Sequence, residues 1–583
     1  MVTEIDAALA DCAEAKRLGA QIVEYRIDQI FSGSSEGAPQ SDADAERETR
    51  EIERLIRSSP LPAIVTCRPT FEGGLYDGDD ASRVSLYEHL GNGGAAGESS
   101  GSRGGGGGSQ GSGGAAESSP RYIDVEFATM SRSANMRQKV LLAVDHPGRE
   151  GDARRPETAL ILSAHDFERR PADLTRRLLA MRAESAARVI KVAYRARSLR
   201  DNLELFDILR EADRPTIALG MGEFGLMSRV LAPKFGAFLT FASLRDTSAT
   251  APGQPTITEI LQRYRFKSIT RSTRVYGVIG WPVGHSLSPL IHNAGFEAIG
   301  HDGVYLPLPI AADESGSGDR GAYESFKATV LDLVEHQGLD LAGASVTIPH
   351  KESLIRLARE QGPARGWRLS AAAEAIGAAN TLVVERDAGA RLSRVLVDNT
   401  DAPAIAALLA DALGDLGGKT VALLGAGGVA RGAAYACASA GVAVRVHARN
   451  PEQAERLASD ISAHVQGAGM ESVTAAPWDA RHEPAGAYIN CTPVGMKGGP
   501  APDASPLNVE AIDPGAASRA VFFDTVYNPA RTPLLINAER LGAEIIDGVA
   551  MFTAQGAMQF RMWTGKDAPA EMFERLVRAR LGV

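Results

Sequence analysis

The stretch ALILSAHDFERRPADLTRRLLAMRAESAARVIKVAYR, residues 159–195, reads as strand, helix, strand, and it decides the architecture of the first half of the chain. Its apolar runs, 159–167 and 189–195, are short and nearly continuous, the pattern of parallel strands covered on both faces. Each is interrupted near its C-terminal end by one residue foreign to a core, His165 in the first and Lys191 in the second. A buried ammonium is costly unless it is paired with a carboxylate or serves a reaction that uses the neutral amine, so Lys191 needs one of these explanations.

Working outward, five more apolar runs at 22–28, 63–69, 122–127, 216–222 and 237–243 alternate with charged helical stretches, giving seven strands. Glu24, Arg26, Arg68, Asp124 and Glu126 also fall near strand C-termini. Reactive groups collected at that end imply a (β/α)8 TIM-type barrel over 1–264. Such a barrel has eight strands, whereas this chain opens on a helix. The expectation is therefore a barrel without its first strand, or one closed in another way. Residues 91–119 contain 13 glycines and 7 serines among 29 residues, which implies a disordered insertion without chemistry.

At 583 residues the chain exceeds one core, and roughly 150 residues per domain suggests three or four domains. A net charge of -10 with mixed signs argues against a nucleic-acid or anionic-membrane surface as partner and leaves a small-molecule ligand open. No run of 18 apolar residues and no basic-then-apolar leader is present. Cys12, Cys67, Cys437 and Cys491 are far apart without a CxxC pair, pointing to a reducing, cytoplasmic location and no metal site.

Residues 419–450, KTVALLGAGGVARGAAYACASAGVAVRVHARN, form strand, glycine-rich turn, helix and strand. Gly425, Gly427 and Ala430 fit G-x-G-x-x-G/A, the turn that lets backbone approach a pyrophosphate, and Gly428 loosens it further. Arg449 ends the second strand where an NAD-binding chain carries an acid, which favours the 2′-phosphate of NADP, with Arg431 in support. A solvated surface arginine is the alternative. Earlier, GWPVGHSLSPLIHN (280–293) sets Ser286 and Ser288 two apart before a helix, either to hold a polyol or carboxylate or to cap that helix.

GASVTIPHK (343–351), GAANTL (377–382), VDNTDA (397–402), NCTPVGM (490–496), VYNPARTPLL (526–535) and DGVAMFTAQGAMQF (547–560) follow in order. Together with the serine motif and GAGGVAR they resemble shikimate dehydrogenase from Val275 to the end. The resemblance implies Lys351 and Asp401 as the catalytic pair, and Ser286, Ser288, Thr347, Asn380, Tyr527 and Gln555 as the shikimate pocket. It implies an NADPH/NADP site formed by Gly425, Ala426, Gly427, Gly428, Val429, Arg431, Arg449, Thr492, Gly548 and Met551. Three departures stand out: Ser345 and Ala448 where asparagine is usual, and Ala402 for glycine. Ser345 is expected to weaken a substrate hydrogen bond.

In the first half, EYRID, CRPTFEGG, SAHDF, VIKVAYR, MSR and TAPGQPT occur in an order and spacing similar to type I 3-dehydroquinate dehydratase. That resemblance implies Lys191 as the imine-forming lysine, His165 as acid and base, and Glu72 as its orienting partner. Glu24, Arg26, Arg68, Arg229, Thr250 and Gln254 would bind the substrate, with Arg229 the carboxylate anchor and Thr250 in place of the usual serine. The alternative from the residues alone is a lysine merely salt-bridged to Glu24 or Glu126.

The expected division is a dehydratase barrel (1–264), a linker (265–273), a substrate domain (274–400), a Rossmann-type NADP domain (401–535) and C-terminal helices packing back on the substrate domain (536–583). The order of the halves resembles the fused shikimate-pathway enzymes of plants and fungi. Dehydration of 3-dehydroquinate to 3-dehydroshikimate, then reduction to shikimate, is the implied pair of reactions. An NAD-dependent catabolic quinate/shikimate dehydrogenase and a non-catalytic quinate-sensing regulator are the rivals; Arg449 argues against the first and the intact catalytic set against the second. The oligomeric state is left open.

Overall fold

A computed structural model describes residues 1–33, 42–93, 119–149, 157–245, 253–311, 318–414, 418–465 and 472–583. Two compact units divide the chain, Met1–Ser272 and Thr273–Val583. Most of the expected Gly/Ser insertion and Thr250 lie outside the described residues.

In the first unit six parallel strands run side by side in chain order: β1 (Val23–Arg26), β2 (Ala63–Thr66), β3 (Tyr122–Glu126), β4 (Ala159–Asp166), β5 (Ala187–Arg195) and β6 (Thr216–Met221). All four residues of β2 and all six of β6 are buried, as expected where helices cover the outside and the sheet curls over its own inner face. The curl is measurable. Lys191 on β5 lies 3.4 Å from Glu24 on β1, whereas four strand spacings in a flat sheet would separate them by about 19 Å. Ile64, Ile161, Val189, Ala193, Ile217, Leu219 and Met221 form the inner apolar layer.

The expected seventh strand, 237–243, does not form a ladder. Phe238 N–H bonds Thr216 O as the run leaves β6, but Ser243 N–H then bonds Pro255 O and Ile257 N–H bonds Ser243 O. The run departs from β6 to meet residues 255–257, so parallel pairing never propagates. Beyond β1, Val2 N–H donates to Arg26 O, placing the second residue against that edge.

The second unit holds two sheets. β7 (Arg274–Gly280), β8 (Gly303–Pro309), β9 (Leu341–Val346), β10 (Trp367–Leu369), β11 (Thr381–Arg386) and β12 (Leu392–Asp398) form a mixed sheet in the order 10-12-11-9-7-8. β13 (Thr420–Leu424), β14 (Ala443–His447), β15 (Val473–Ala476), β16 (Ala487–Asn490), β17 (Val521–Asp524) and β18 (Glu544–Ile546) form a wholly parallel sheet in the order 15-14-13-16-17-18. That is the doubly wound Rossmann order, with its switch point between β13 and β16. β18 belongs to this sheet although it follows residue 535, because Val521–Phe523 of β17 pair with Glu544–Ile546. The helix Gly548–Thr564 then turns back, and Phe560, Trp563 and Phe573 pack with Tyr276, Ile291 and Phe296 beneath the mixed sheet. Among the described residues no helix is long and apolar enough to cross a membrane, and no cluster of three or more His, Cys, Asp or Glu is placed to hold a metal.

Candidate active sites

In the first unit one pocket is lined by Glu24, Arg26, Arg68, His165, Phe167, Lys191, Ala193, Leu219, Met221, Arg229, Phe241 and Gln254. Parallel register explains the convergence. Ser163 on β4 pairs with Lys191 on β5, and His165 stands two residues further along β4 on the same inward face. Lys191 Nζ is held by Asp124 Oδ2 at 2.8 Å and Glu24 Oε1 at 3.4 Å, and sits 4.6 Å from the centre of the Phe241 ring. The lysine thus has its carboxylate partner and also faces the pocket. The partner is Asp124, with Glu24 beside it, and Glu126 is engaged elsewhere.

Glu126 lies between two buried arginines, Arg68 at 2.7 Å and Arg83 at 2.5 Å. Arg68 also reaches Asp124 at 2.9 Å and Ser163 Oγ at 2.9 Å. Its Nη atoms are therefore committed to the frame around Lys191, even though it borders the pocket. Arg26 is likewise paired, with Asp28 at 2.5 Å. Arg229 differs from both: it is 2% exposed, its Nε has no hydrogen-bond partner, and burial alone pulls its guanidinium down to about 10. A buried cation without a carboxylate among the described residues is prepared to receive an anion.

His165 Nδ1 lies 3.0 Å from Glu72 Oε2, which also accepts the His165 backbone N–H at 3.2 Å. Burial, then the positive charges of Arg68 and Lys191, hold the imidazole well below its usual range, so it is neutral near pH 7. Burial and the nearby Glu126 push Glu72 up to about 8. The pair therefore shares one proton in a water-poor site, the arrangement of an acid–base catalyst. Asp124, Ser163 and Arg83 were not assigned from sequence as supports of Lys191, although Asp124 and Glu126 at alternating positions in YIDVEF carry the signal of an inward acidic face.

In the second unit Lys351 opens the helix Lys351–Gln361 and Asp401 opens the helix Asp401–Leu413; their side chains meet at 2.5 Å, both buried. A carboxylate in a first helical turn is favoured by the helix dipole. Asn380 Nδ2 donates to Asp401 Oδ1 at 2.9 Å and Thr400 Oγ1 at 3.0 Å, and approaches Gln555 Oε1 at 3.4 Å. Lys351, Asp401, Asn380 and Gln555 are thereby brought together. Ser286 and Ser288 lie Oγ to Oγ at 3.2 Å, and Ser286 Oγ also accepts the Ser288 backbone N–H at 3.2 Å, the first of the helix Ser288–Ala298, so it serves the helix start as well. Tyr527 packs on Phe552 with ring centres 4.6 Å apart, and Thr347 N–H bonds Ile279 O at the end of β7.

The glycine turn fits a dinucleotide. Gly425 has φ +114°, and a Cβ there would stand 3.0 Å from Cys491 O across the switch point. At Gly427 a Cβ would meet nothing within 4 Å, leaving the backbone open to a phosphate. Arg449 is exposed, with no ion pair among the described residues. Arg431 is not available in the same way, because Nε donates to Ile376 O at 2.6 Å and Nη2 to Asp460 Oδ2 at 2.8 Å. Thr492 Oγ1 is bonded to Asn490 at 2.7 Å, Met551 is buried, and Ala426 and Val429 are half-buried beside the turn. Gly548 permits contact with the Val526 carbonyl, which a Cβ would approach to 2.2 Å.

The family model of type I 3-dehydroquinase matches residues 1–96 and 114–271. The shikimate dehydrogenase substrate binding domain matches 278–382, and the shikimate 5′-dehydrogenase C-terminal domain 548–578. The chloroplastic bifunctional 3-dehydroquinate dehydratase/shikimate dehydrogenase of Arabidopsis thaliana is 31% identical over 595 residues, covering 99% of this chain and 83% of that one. The shikimate dehydrogenase (NADP(+)) of Citrifermentans bemidjiense is 36% identical over 319 residues, 54% of this chain and 98% of its own. The solved structure of dehydroquinate dehydratase and shikimate dehydrogenase from S. pombe covers 99% of this chain and 96% of that one, at 24% identity and a TM-score of 0.39. With 99% of this chain and 83% of the first of these relatives matched, the chain belongs to the bifunctional 3-dehydroquinate dehydratase/shikimate dehydrogenase family.

Proposed function

We propose that this chain carries out two consecutive reactions of the shikimate pathway, dehydration of 3-dehydroquinate and reduction of the resulting 3-dehydroshikimate to shikimate. The observation that carries this reading is the presence in one chain of a pocket-facing lysine beside a neutral histidine, and of a buried Lys–Asp pair beside a dinucleotide turn.

In the dehydratase, Arg229 receives the substrate carboxylate and Lys191 Nζ attacks the ketone, releasing water to form an imine. The imine acidifies the adjacent C–H bond. His165 accepts that proton and returns it to the departing hydroxyl, with Glu72 orienting the ring. Hydrolysis of the imine frees product and lysine. Glu24 and Gln254 border the hydroxyl-bearing side of the pocket, and Thr250 completes this set of ligands.

In the reductase, NADPH when bound supplies the hydride. Lys351 stands where it can protonate and stabilise the oxygen that gains charge, and Asp401 fixes the ammonium. Asn380, Gln555, Ser286, Ser288, Thr347 and Tyr527 hold the hydroxyls and carboxylate of shikimate. Arg449 selects the 2′-phosphate; the name of the bacterial relative, which specifies NADP(+), supports this preference. Four free cysteines suit a reducing compartment, the cytoplasm.

A coupled assay on 3-dehydroquinate with NADPH or NADH tests both sites at once, and shikimate is expected with NADPH. Borohydride added with 3-dehydroquinate should trap substrate on Lys191. Full dehydratase turnover by Lys191→Ala would sink the imine reading.

A further inference from the structure

Ser345 is the position at which a weakened substrate contact is expected from sequence, and its hydroxyl is engaged on the protein side. Tyr305 Oη donates to Ser345 Oγ at 2.7 Å, and Ser345 Oγ donates to Gln559 Oε1 at 2.7 Å. The hydroxyl has one proton, so it has none left to give a ligand. Gln559, 1% exposed on the helix Gly548–Thr564, sends Nε2 to Asn380 O at 3.0 Å and Thr381 Oγ1 at 3.1 Å. The carbonyl of Asn380 can only accept, so it fixes which end of the Gln559 amide is nitrogen. Thr381 Oγ1 donates in turn to Asn380 Oδ1 at 2.8 Å, and Asn380 Nδ2 donates to Asp401 at 2.9 Å, which holds Lys351.

A continuous relay therefore links Tyr305, Ser345, Gln559, Thr381 and Asn380 to the Lys351–Asp401 pair. Every member is buried, so each hydrogen bond would leave an unmet polar group if broken.

We infer that Gln559 is a positioning residue of the reductase, locking Asn380 against Asp401, and that Ser345 serves this relay rather than the substrate. The inference rests on the reading of Lys351, Asp401 and Asn380 as the reductase site. It goes beyond that reading by giving a role to Gln559, which lies outside the set expected to touch shikimate, and by moving Ser345 from a substrate contact to a support of the pair.

The test uses the full chain, with dehydratase turnover and the KM for NADPH as controls of folding. Gln559→Leu should cut reductase kcat about ten-fold, the scale of one lost buried hydrogen bond, with both controls retained. Ser345→Ala should act in the same direction by a smaller factor, and the double variant should be no worse than Gln559→Leu, since both break one relay. If Gln559→Leu does not fold, Ser345→Ala carries the same reading, because it removes only the hydroxyl between Tyr305 and Gln559. A Ser345→Ala enzyme with unchanged kcat and a raised KM for 3-dehydroshikimate would overturn the inference in favour of a substrate contact. Multiplying effects in the double variant would overturn it too. Lys351→Ala separates the failures: retained reductase turnover there refutes the site reading, whereas its loss alongside an unaffected Gln559→Leu refutes the relay alone.

Discussion

Arg229 allows stability and function to be pulled apart. Its charge is buried without a carboxylate among the described residues, and burial pulls its guanidinium down to about 10. At about 1.36 kcal/mol per pKa unit, holding that charge in the fold costs on the order of 3 kcal/mol. Because the folded value lies below the unfolded one, the cost is fully present at pH 7 and fades only as the pH rises through about 10. Arg229→Met keeps the aliphatic stem and removes the charge. It should therefore raise the melting temperature of the first unit without ligand, by about 5 °C for a domain of this size. The same change removes the charge-assisted anchor for the substrate carboxylate, worth about 2–5 kcal/mol, so dehydratase kcat/KM should fall at least about thirty-fold. Calorimetry and initial rates on one preparation read both effects. A lower melting temperature together with kcat/KM within about three-fold of wild type would show that Arg229 is paired and structural.

Three further outcomes follow from the geometry. At Gly428 a Cβ would stand 3.2 Å from Lys351 Cδ and 3.3 Å from its Cβ, so Gly428→Ala should lower reductase kcat several-fold while the KM for NADPH stays within about two-fold; the reverse split would make Gly428 a cofactor residue only. Arg449→Ala should raise the KM for NADPH about ten-fold or more and leave that for NADH unchanged, measured by steady-state kinetics with each cofactor. In the dehydratase, burial holds His165 well below the usual imidazole range and Glu72 gives up its proton near pH 8, so kcat/KM should show no titration in the usual imidazole range and fall above about pH 8, and Glu72→Gln should remove that alkaline limb.

The elements were legible where chemistry and periodicity agreed. β4 and β5 were readable because buried parallel strands are continuously apolar, so His165 and Lys191 stood out as exceptions. The glycine turn was readable because a left-handed residue and an unobstructed backbone leave few choices at Gly425 and Gly427. Partnerships across the fold were less accessible. The 67 residues separating Asp124 from Lys191, and the 214 between Ser345 and Gln559, hide contacts that only strand register and helix return bring about. Position 559 did carry a weak signal, since it lies four residues after Gln555 on one helix and shares its face. The run at 237–243 failed as a strand for a tertiary reason: after one bond from Phe238 to Thr216 of β6, its backbone partners came from 255–257. Arg431 likewise sits in the motif, yet its donors join the helix Gly428–Ser439 to its neighbours.

The division into Met1–Ser272 and Thr273–Val583, with each set of candidate catalytic residues confined to one unit, has a practical consequence. The two activities are synthesised in a fixed one-to-one stoichiometry, and none of the candidate catalytic side chains is common to both. The quotient of dehydratase and reductase rates is then a property of the intact chain, independent of concentration or purity. Mild heating or denaturant that damages one unit before the other shifts this quotient in a direction that identifies the casualty. The enzyme is thus its own internal standard, reporting partial unfolding without any added probe.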